Sequence, residues 1–364
     1  MRRKGRIPAG RILACLLLCV CLLSAFAGCG SAGVVGGADG PTFAFLTSCG
    51  GKTPSKYSST FLDVFDTVTE LTAYCGSEAI FEQASEAVHR ELLRIHRLCD
   101  VYHSYEGIVN LYSVNEAGGE RSFCLDPDLI ALLQTGEEFY RASGGKLNVA
   151  MGSVVSLWHD CLQGGENAVL PAEEALNSAG EHMGFGSVSV SAAENTLTVG
   201  DPDVRFDFGA VAKGYAAERA AEVARQNGLS DFALNIGGNV LLSGKKPSGN
   251  WTIGVQAPDG GVFTKLSLTD ASAVTSGDYQ RFVVLDGVRY HHIIDPDTLR
   301  PASLYRSVTI VCEDSLTADA LSTALFCMTL EDGKALARER RAEALWIFED
   351  GSSVRTEGFA AYEE

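Results

Sequence analysis

V-R-F-D-F-G-A-V-A-K-G-Y-A-A-E-R-A-A-E-V-A-R-Q-N-G, residues 204 to 228, is followed after three residues by F-A-L-N-I-G-G-N-V-L-L-S-G, residues 232 to 244. The first stretch reads as a strand, a turn at Gly209 and a helix that Gly228 closes. The second reads as strand, glycine kink, strand. Further along, strand patterns recur near 251–256, 263–268, 281–285, 289–294 and 306–312, before a helix containing T-A-D-A-L-S-T-A-L at 317 to 325. Upstream, V-F-D-T-V-T-E-L-T-A-Y at 64 to 74 alternates as a strand does, and Ile80, Ala84, Val88, Leu92 and Ile95 have helical spacing. A second helix is expected from Asp126 to Ser143, ended by Gly144 and Gly145, and short strands around 187–199. Strands in runs with helices interspersed irregularly make this an α+β chain and exclude a doubly wound parallel sheet.

The N-terminus has a separate purpose. Arg2, Arg3, Lys4, Arg6 and Arg11 precede an apolar run from Ile12 to Ala27, the layout of a secretory signal peptide and too short to span a bilayer comfortably. F-A-G-C-G then resembles a lipoprotein cleavage site, so residues 1–28 are expected to be removed and Cys29 to carry the lipid. Residues 29–56, rich in Gly and Ser, are expected to form a tether, and 57–364 the folded domain. The implied location is the outer face of the cell membrane. Five of the 29 basic residues lie in the leader, leaving 24 against 46 acidic ones, a net charge of −22. Such a surface repels nucleic acid, and an anionic ligand would need a local cation. Seven of the eleven cysteines remain beyond Cys29, with no C-x-x-C pair. They read as small buried hydrophobes, with room for one or two disulfides.

Four stretches carry polar groups in suggestive places. In D-F-G-A-V-A-K-G-Y, 207 to 215, a small-residue turn leads into a helix whose first turn bears Lys213, an arrangement that favours phosphate or is a plain turn with a solvated lysine. In N-I-G-G-N, 235 to 239, paired glycines permit close backbone approach to a ligand, or a bulge. T-S-G-D-Y-Q-R at 275 to 281 reads as a loop before a strand with adjacent histidines, in which His292 and Asp295 could be a base and the neighbour that tunes it. Asp319 and Thr323, one turn apart on an apolar helix, could cap its start and bond back to a carbonyl, or share a hard cation.

Taken in order, these stretches and G-G-K-L-N-V-A-M-G at 144 to 152 resemble the ApbE family, the FAD:protein FMN transferases, over essentially the whole globular part. The resemblance implies one domain of mixed, largely antiparallel sheets with packed helices. It implies Mg²⁺ held by Asp319, Thr323 and the backbone carbonyl of Ala210, with FAD as flavin donor. Phe65, Tyr102, Lys146, Leu147, Asn148, Asp207 and Ile293 fall where the family lines its FAD pocket, with Lys213 near the pyrophosphate; for the reaction this implies, His292 is the candidate that deprotonates or positions the acceptor hydroxyl. The partner would be an acceptor flavoprotein with a target threonine, at the membrane. Two departures bear on how FAD is held: the family commonly has Met-Gly-Thr where this chain has Phe65-Asp66-Thr67, and Asp where it has Asn148. Rival readings are an FAD pyrophosphatase and a non-catalytic flavin-binding lipoprotein.

Overall fold

The computed structural model describes residues 34–35, 54–117 and 121–364, so the leader, Cys29 and nearly all of the tether lie outside the described residues. Its centre is one eight-stranded sheet: β1 (Ser55–Val64), β2 (Thr67–Cys75), β3 (Asp231–Ile236), β4 (Asn239–Ser243), β5 (Ala271–Gly277), β6 (Ser307–Cys312), β7 (Glu343–Ile347) and β8 (Ser353–Arg355). Each strand pairs antiparallel with its neighbour in this same order, so the chain walks across the sheet without a crossover. The α+β, largely antiparallel expectation holds. Eight helices are described: α1 (Glu78–Cys99), α2 (Leu111–Glu116), α3 (Pro127–Ala142), α4 (Gly152–Gln163), α5 (Glu173–Gly180), α6 (Ala212–Gln226), α7 (Ser315–Phe326) and α8 (Leu330–Glu339).

The sheet is apolar on both faces, because strand residues alternate between two cores. Phe232, Leu234 and Ile236 of β3 and Val308 and Ile310 of β6 join the core beneath α1, α6 and α7. Ala233, Val240, Leu242 and Val311 point the other way, against Trp251, Ile253, Leu266 and Leu268 of the hairpin formed by Trp251–Gln256 and Val262–Leu268. A row of alanines on α6, Ala216, Ala217, Ala220, Ala221 and Ala224, is buried and lets that helix lie close to its neighbours.

Four expectations change. The first strand begins at Ser55, inside the expected tether; its polar sequence hides it, and pairing with β2 creates it. The 64–74 strand is broken at its start by a hairpin turn, with Phe65 and Asp66 both left-handed at φ 54° and 50°. Residues 204–208 are extended but join no ladder; single bonds hold them, from Phe206 N–H to Asn115 Oδ1 (2.8 Å) and from Asp207 N–H to the Val149 carbonyl (2.9 Å). Thr275, Ser276 and Gly277 belong to β5 rather than to a loop. Among the described residues all six cysteines are free, four of them buried.

Candidate cation and phosphate site

The start of α6 crosses α7 at Gly214, and only glycine fits there. A Cβ at that position would lie 2.4 Å from the Ser315 carbonyl oxygen, 2.7 Å from Asp319 Cβ and 2.8 Å from Leu316 Cα. The close crossing lets the Gly214 N–H donate to Asp319 Oδ2 at 2.8 Å. Lys213 Nζ lies 3.7 Å from Asp319 Oδ1 and donates to the Gly209 carbonyl at 3.1 Å. Asp319 is only 3% exposed. Burial raises its pKa, opposed by the Lys213 charge and the Gly214 N–H.

Capping does not explain this carboxylate. The cap of α7 is Asp314, which accepts from the Thr317 N–H at 2.6 Å. The bond back to a carbonyl is made by Ser322, whose hydroxyl donates to the Asp319 carbonyl at 2.9 Å. Among the described residues the half-buried Thr323 hydroxyl makes no hydrogen bond. Nor is any found to the Ala210 carbonyl, because the Gly214 N–H that a regular first turn would aim at it goes to Asp319. The Thr323 hydroxyl and the Ala210 carbonyl are thus left over among the described residues, and Asp319 Oδ1 has only the 3.7 Å approach of Lys213; all three are oxygens, the donor class a hard divalent cation takes.

The other anticipated residues divide into two groups. Tyr102 and Asp207 share one electrostatic neighbourhood: the Tyr102 phenol is pushed up to about 12, by burial first and then by the Asp207 charge. The ring stacks on His159 at 4.7 Å and its hydroxyl meets His159 Nδ1 at 3.0 Å. Asp207 itself accepts from the Gly209 N–H at 2.7 Å, which shapes the turn into α6. His292 is half-buried. Its Nδ1 is 3.3 Å from the Arg281 carbonyl, which can only accept, so Nδ1 carries the proton and Nε2 the lone pair. Desolvation, then the charges of His291 and Arg281, holds its pKa well below the ordinary imidazole value, and Lys213 acts in the same direction.

The second group is committed elsewhere. Asp295 is not the partner of His292: its carboxylate binds Lys146 Nζ at 2.8 Å, and Lys146 also pairs with Asp297 at 2.8 Å. This ion pair lines a cavity of about 740 Å³ with Met328, Asp332 and Leu336, whose walls do not include Asp319, Lys213 or His292. Leu147 and Ile293 are buried, 1% and 5% exposed, so a ligand would meet their backbone. Asn148 Oδ1 accepts from the Ala150 N–H at 3.0 Å. Phe65 stands edge-on to His96 at 5.5 Å, and its N–H donates to His96 Nδ1 at 3.2 Å.

Sequence reasoning passed over three residues at this place. Arg281, the last residue of T-S-G-D-Y-Q-R, is exposed, and its charge reaches both Tyr102 and His292. Glu218, one turn after Gly214 on α6, accepts from the Ser315 N–H at 2.6 Å, and burial raises its pKa. Asn239, the last residue of N-I-G-G-N, is buried beside α7. The quoted motifs contained Arg281 and Asn239; nothing local marked Glu218.

Comparison with known proteins identifies the family. The family model described as "ApbE family" matches residues 65–346. A protein named FAD:protein FMN transferase from Treponema pallidum is 36% identical over 259 residues, covering 66% of this chain and 71% of that protein. The crystal structure of the ApbE protein from Thermotoga maritima superimposes with a TM-score of 0.76 at 30% identity, over 85% of this chain and 100% of that one. Flavin transferase ApbE from Vibrio cholerae gives 0.74 at 25% identity, over 85% and 99%. With more than three quarters of its length matched by one family model and a fold shared with solved members, the chain belongs to the ApbE family.

Proposed function

We propose that this protein is a flavin transferase that moves the FMN half of FAD onto a threonine hydroxyl of an acceptor flavoprotein and releases AMP. The observation that carries the reading is Asp319: a carboxylate buried within an apolar helix, not a cap, bonded to Gly214 at the start of α6 and one turn before Thr323, while among the described residues no hydrogen bond claims the Thr323 hydroxyl or the Ala210 carbonyl. These three would hold Mg²⁺. When bound, the ion supplies neutralisation of charge on the FAD pyrophosphate.

The chain's own groups supply the rest. Lys213, at the amino end of α6, offers a point charge and the helix end its N–H groups to the phosphates. The Tyr102 ring, 47% exposed, offers a face for a flavin or adenine ring. His292 is neutral with a free Nε2, so it can accept the threonine proton as the new oxygen–phosphorus bond forms. The phosphorus–oxygen bond to AMP breaks in the same displacement, and AMP leaves with its phosphate.

Incubating the purified protein with FAD, Mg²⁺ and a candidate acceptor should give an acceptor band that fluoresces in a denaturing gel. FMN and AMP appearing in solution with a dark acceptor would make the protein a pyrophosphatase instead, and intact FAD would leave a binding protein. We further propose that Cys29 anchors the chain by lipid at the outer face of the membrane, motivated by F-A-G-C and the glycine-rich stretch that follows. Cys29→Ala should then abolish incorporation of a labelled fatty acid; equal labelling of the variant would refute the anchor.

A further inference from the structure

Asn239 opens β4 directly after the Gly237–Gly238 turn and is 1% exposed. Its Oδ1 accepts from Ser315 Oγ at 2.8 Å. Ser315 stands one turn before Asp319 on α7, so the amide lies against the helix face that carries the carboxylate. Among the described residues, the buried Asn239 Nδ2 has no hydrogen-bond partner. An unmatched buried donor of this kind is destabilising and calls for an acceptor. The start of α7 does not depend on the amide, because Asp314 caps it and Glu218 takes the Ser315 N–H.

We infer that Asn239 is a positioning residue for Asp319: its Nδ2 faces the carboxylate and fixes its rotation, keeping Oδ2 on the Gly214 N–H and Oδ1, which Lys213 Nζ approaches only to 3.7 Å, turned toward the cation. The opposite amide orientation would place Oδ1 against the carboxylate, oxygen against oxygen, and is disfavoured for that reason. Asn239 is also among the groups that favour the charged form of Asp319, although Nδ2 is not in full hydrogen-bonding geometry with it. The inference rests on the cation reading of the previous subsection and adds a residue that acts through Asp319 rather than on the ion.

The test uses Mn²⁺ alone as probe, titrated into the purified protein without FAD and followed by electron paramagnetic resonance. Asn239→Leu, similar in volume and without polar atoms, should weaken Mn²⁺ binding about 10-fold or more while near-ultraviolet circular dichroism stays native, as expected when an outer partner of a metal ligand is removed. Asn239→Ser gives the same readout if the leucine variant does not fold. A folded variant that binds Mn²⁺ within about two-fold of the parent would reduce Asn239 to a packing residue and overturn the inference. A parent protein that binds no Mn²⁺ would overturn the cation reading itself, and that titration alone tells the two failures apart.

Discussion

Replacing Gly214 by alanine tests the crossing on which the site is built. In an exposed helix the change would stabilise, by up to about 1 kcal/mol from helix propensity. Here the new Cβ would stand below 3.0 Å from three atoms, two of them backbone, and backbone cannot rotate away. Overpacking of this kind costs about 1–3 kcal/mol, and rigid neighbours put the value at the upper end. If α6 and α7 part to relieve it, the 2.8 Å bond from the Gly214 N–H to a buried carboxylate lengthens, and a bond to a charged group is worth about 1.5–3 kcal/mol. Even with the propensity gain subtracted, the variant should lose about 2 kcal/mol or more, read as a lowered midpoint in urea denaturation. FMN transfer should fall with it. A Gly214→Ala protein as stable as the parent would refute the close crossing, and with it the account of why Asp319 is held where it is.

Three further outcomes are expected. Thr323→Val keeps the side-chain shape and removes only the hydroxyl, so transfer should slow and partly recover at raised Mg²⁺; unchanged Mg²⁺ dependence would return Thr323 to packing. Tyr102→Ala should weaken FAD binding by about 1–3 kcal/mol in a calorimetric titration if a ring stacks there, and an unchanged affinity would move the ring elsewhere. Because the folded His292 has a lowered pKa, the unfolded chain takes up a proton near its ordinary value of about 6.5 that the native state refuses, so stability should fall as pH drops through that value. His292→Gln should shrink this acid sensitivity in urea midpoints, and an equal sensitivity in the variant would contradict the shift.

The fold class was legible because most strands alternate and most helices carry their own end signals. The expected Asp126–Ser143 helix is α3 with Asp126 as its cap, and Gly144 and Gly145 follow it with φ of 63° and 92°. What escaped reading was decided by partners distant in sequence. Ser55–Val64 has a polar, weakly alternating sequence and becomes a strand only by pairing with β2. Residues 204–208 have the right pattern but meet no strand edge, so the same hydrophobic alternation serves an extended plug. In the site, Asp319 and Thr323 could be picked out because a polar pair on an apolar helix is a local anomaly. That Asp295 belongs to Lys146, 149 residues away, and that Glu218 holds the start of α7, 97 residues away, could not be read from spacing.

Strand direction explains why pieces so far apart in sequence reach one place. Since β2, β3, β4, β5 and β6 are successive antiparallel neighbours, alternate connections fall at the same end of the sheet. At one end lie the Phe65–Asp66 turn, the Gly237–Gly238 turn and the chain leaving β5 toward Arg281. Their contacts agree: a Cβ on Gly237 would lie 2.3 Å from Thr67 Oγ1, and one on Gly238 would meet Gln280 Nε2 at 3.9 Å. The helix that precedes β3 must run opposite to it to deliver the chain to its far end, so α6 presents its amino terminus, with Lys213 and Gly214, at that same end. The helix that follows β6 starts from the far end and climbs back, which carries Asp319 to Gly214 and places Ser322 Oγ 2.9 Å from Ser276 Oγ near the end of β5. A connection order that is local and simple thus gathers the amino end of one helix, the carboxylate of another and a row of tight turns. The fold alone therefore accounts for the clustering of the quoted motifs, and the functional claim rests on the narrower fact that a buried carboxylate, not a cap, is held at the α6–α7 crossing by the Gly214 N–H.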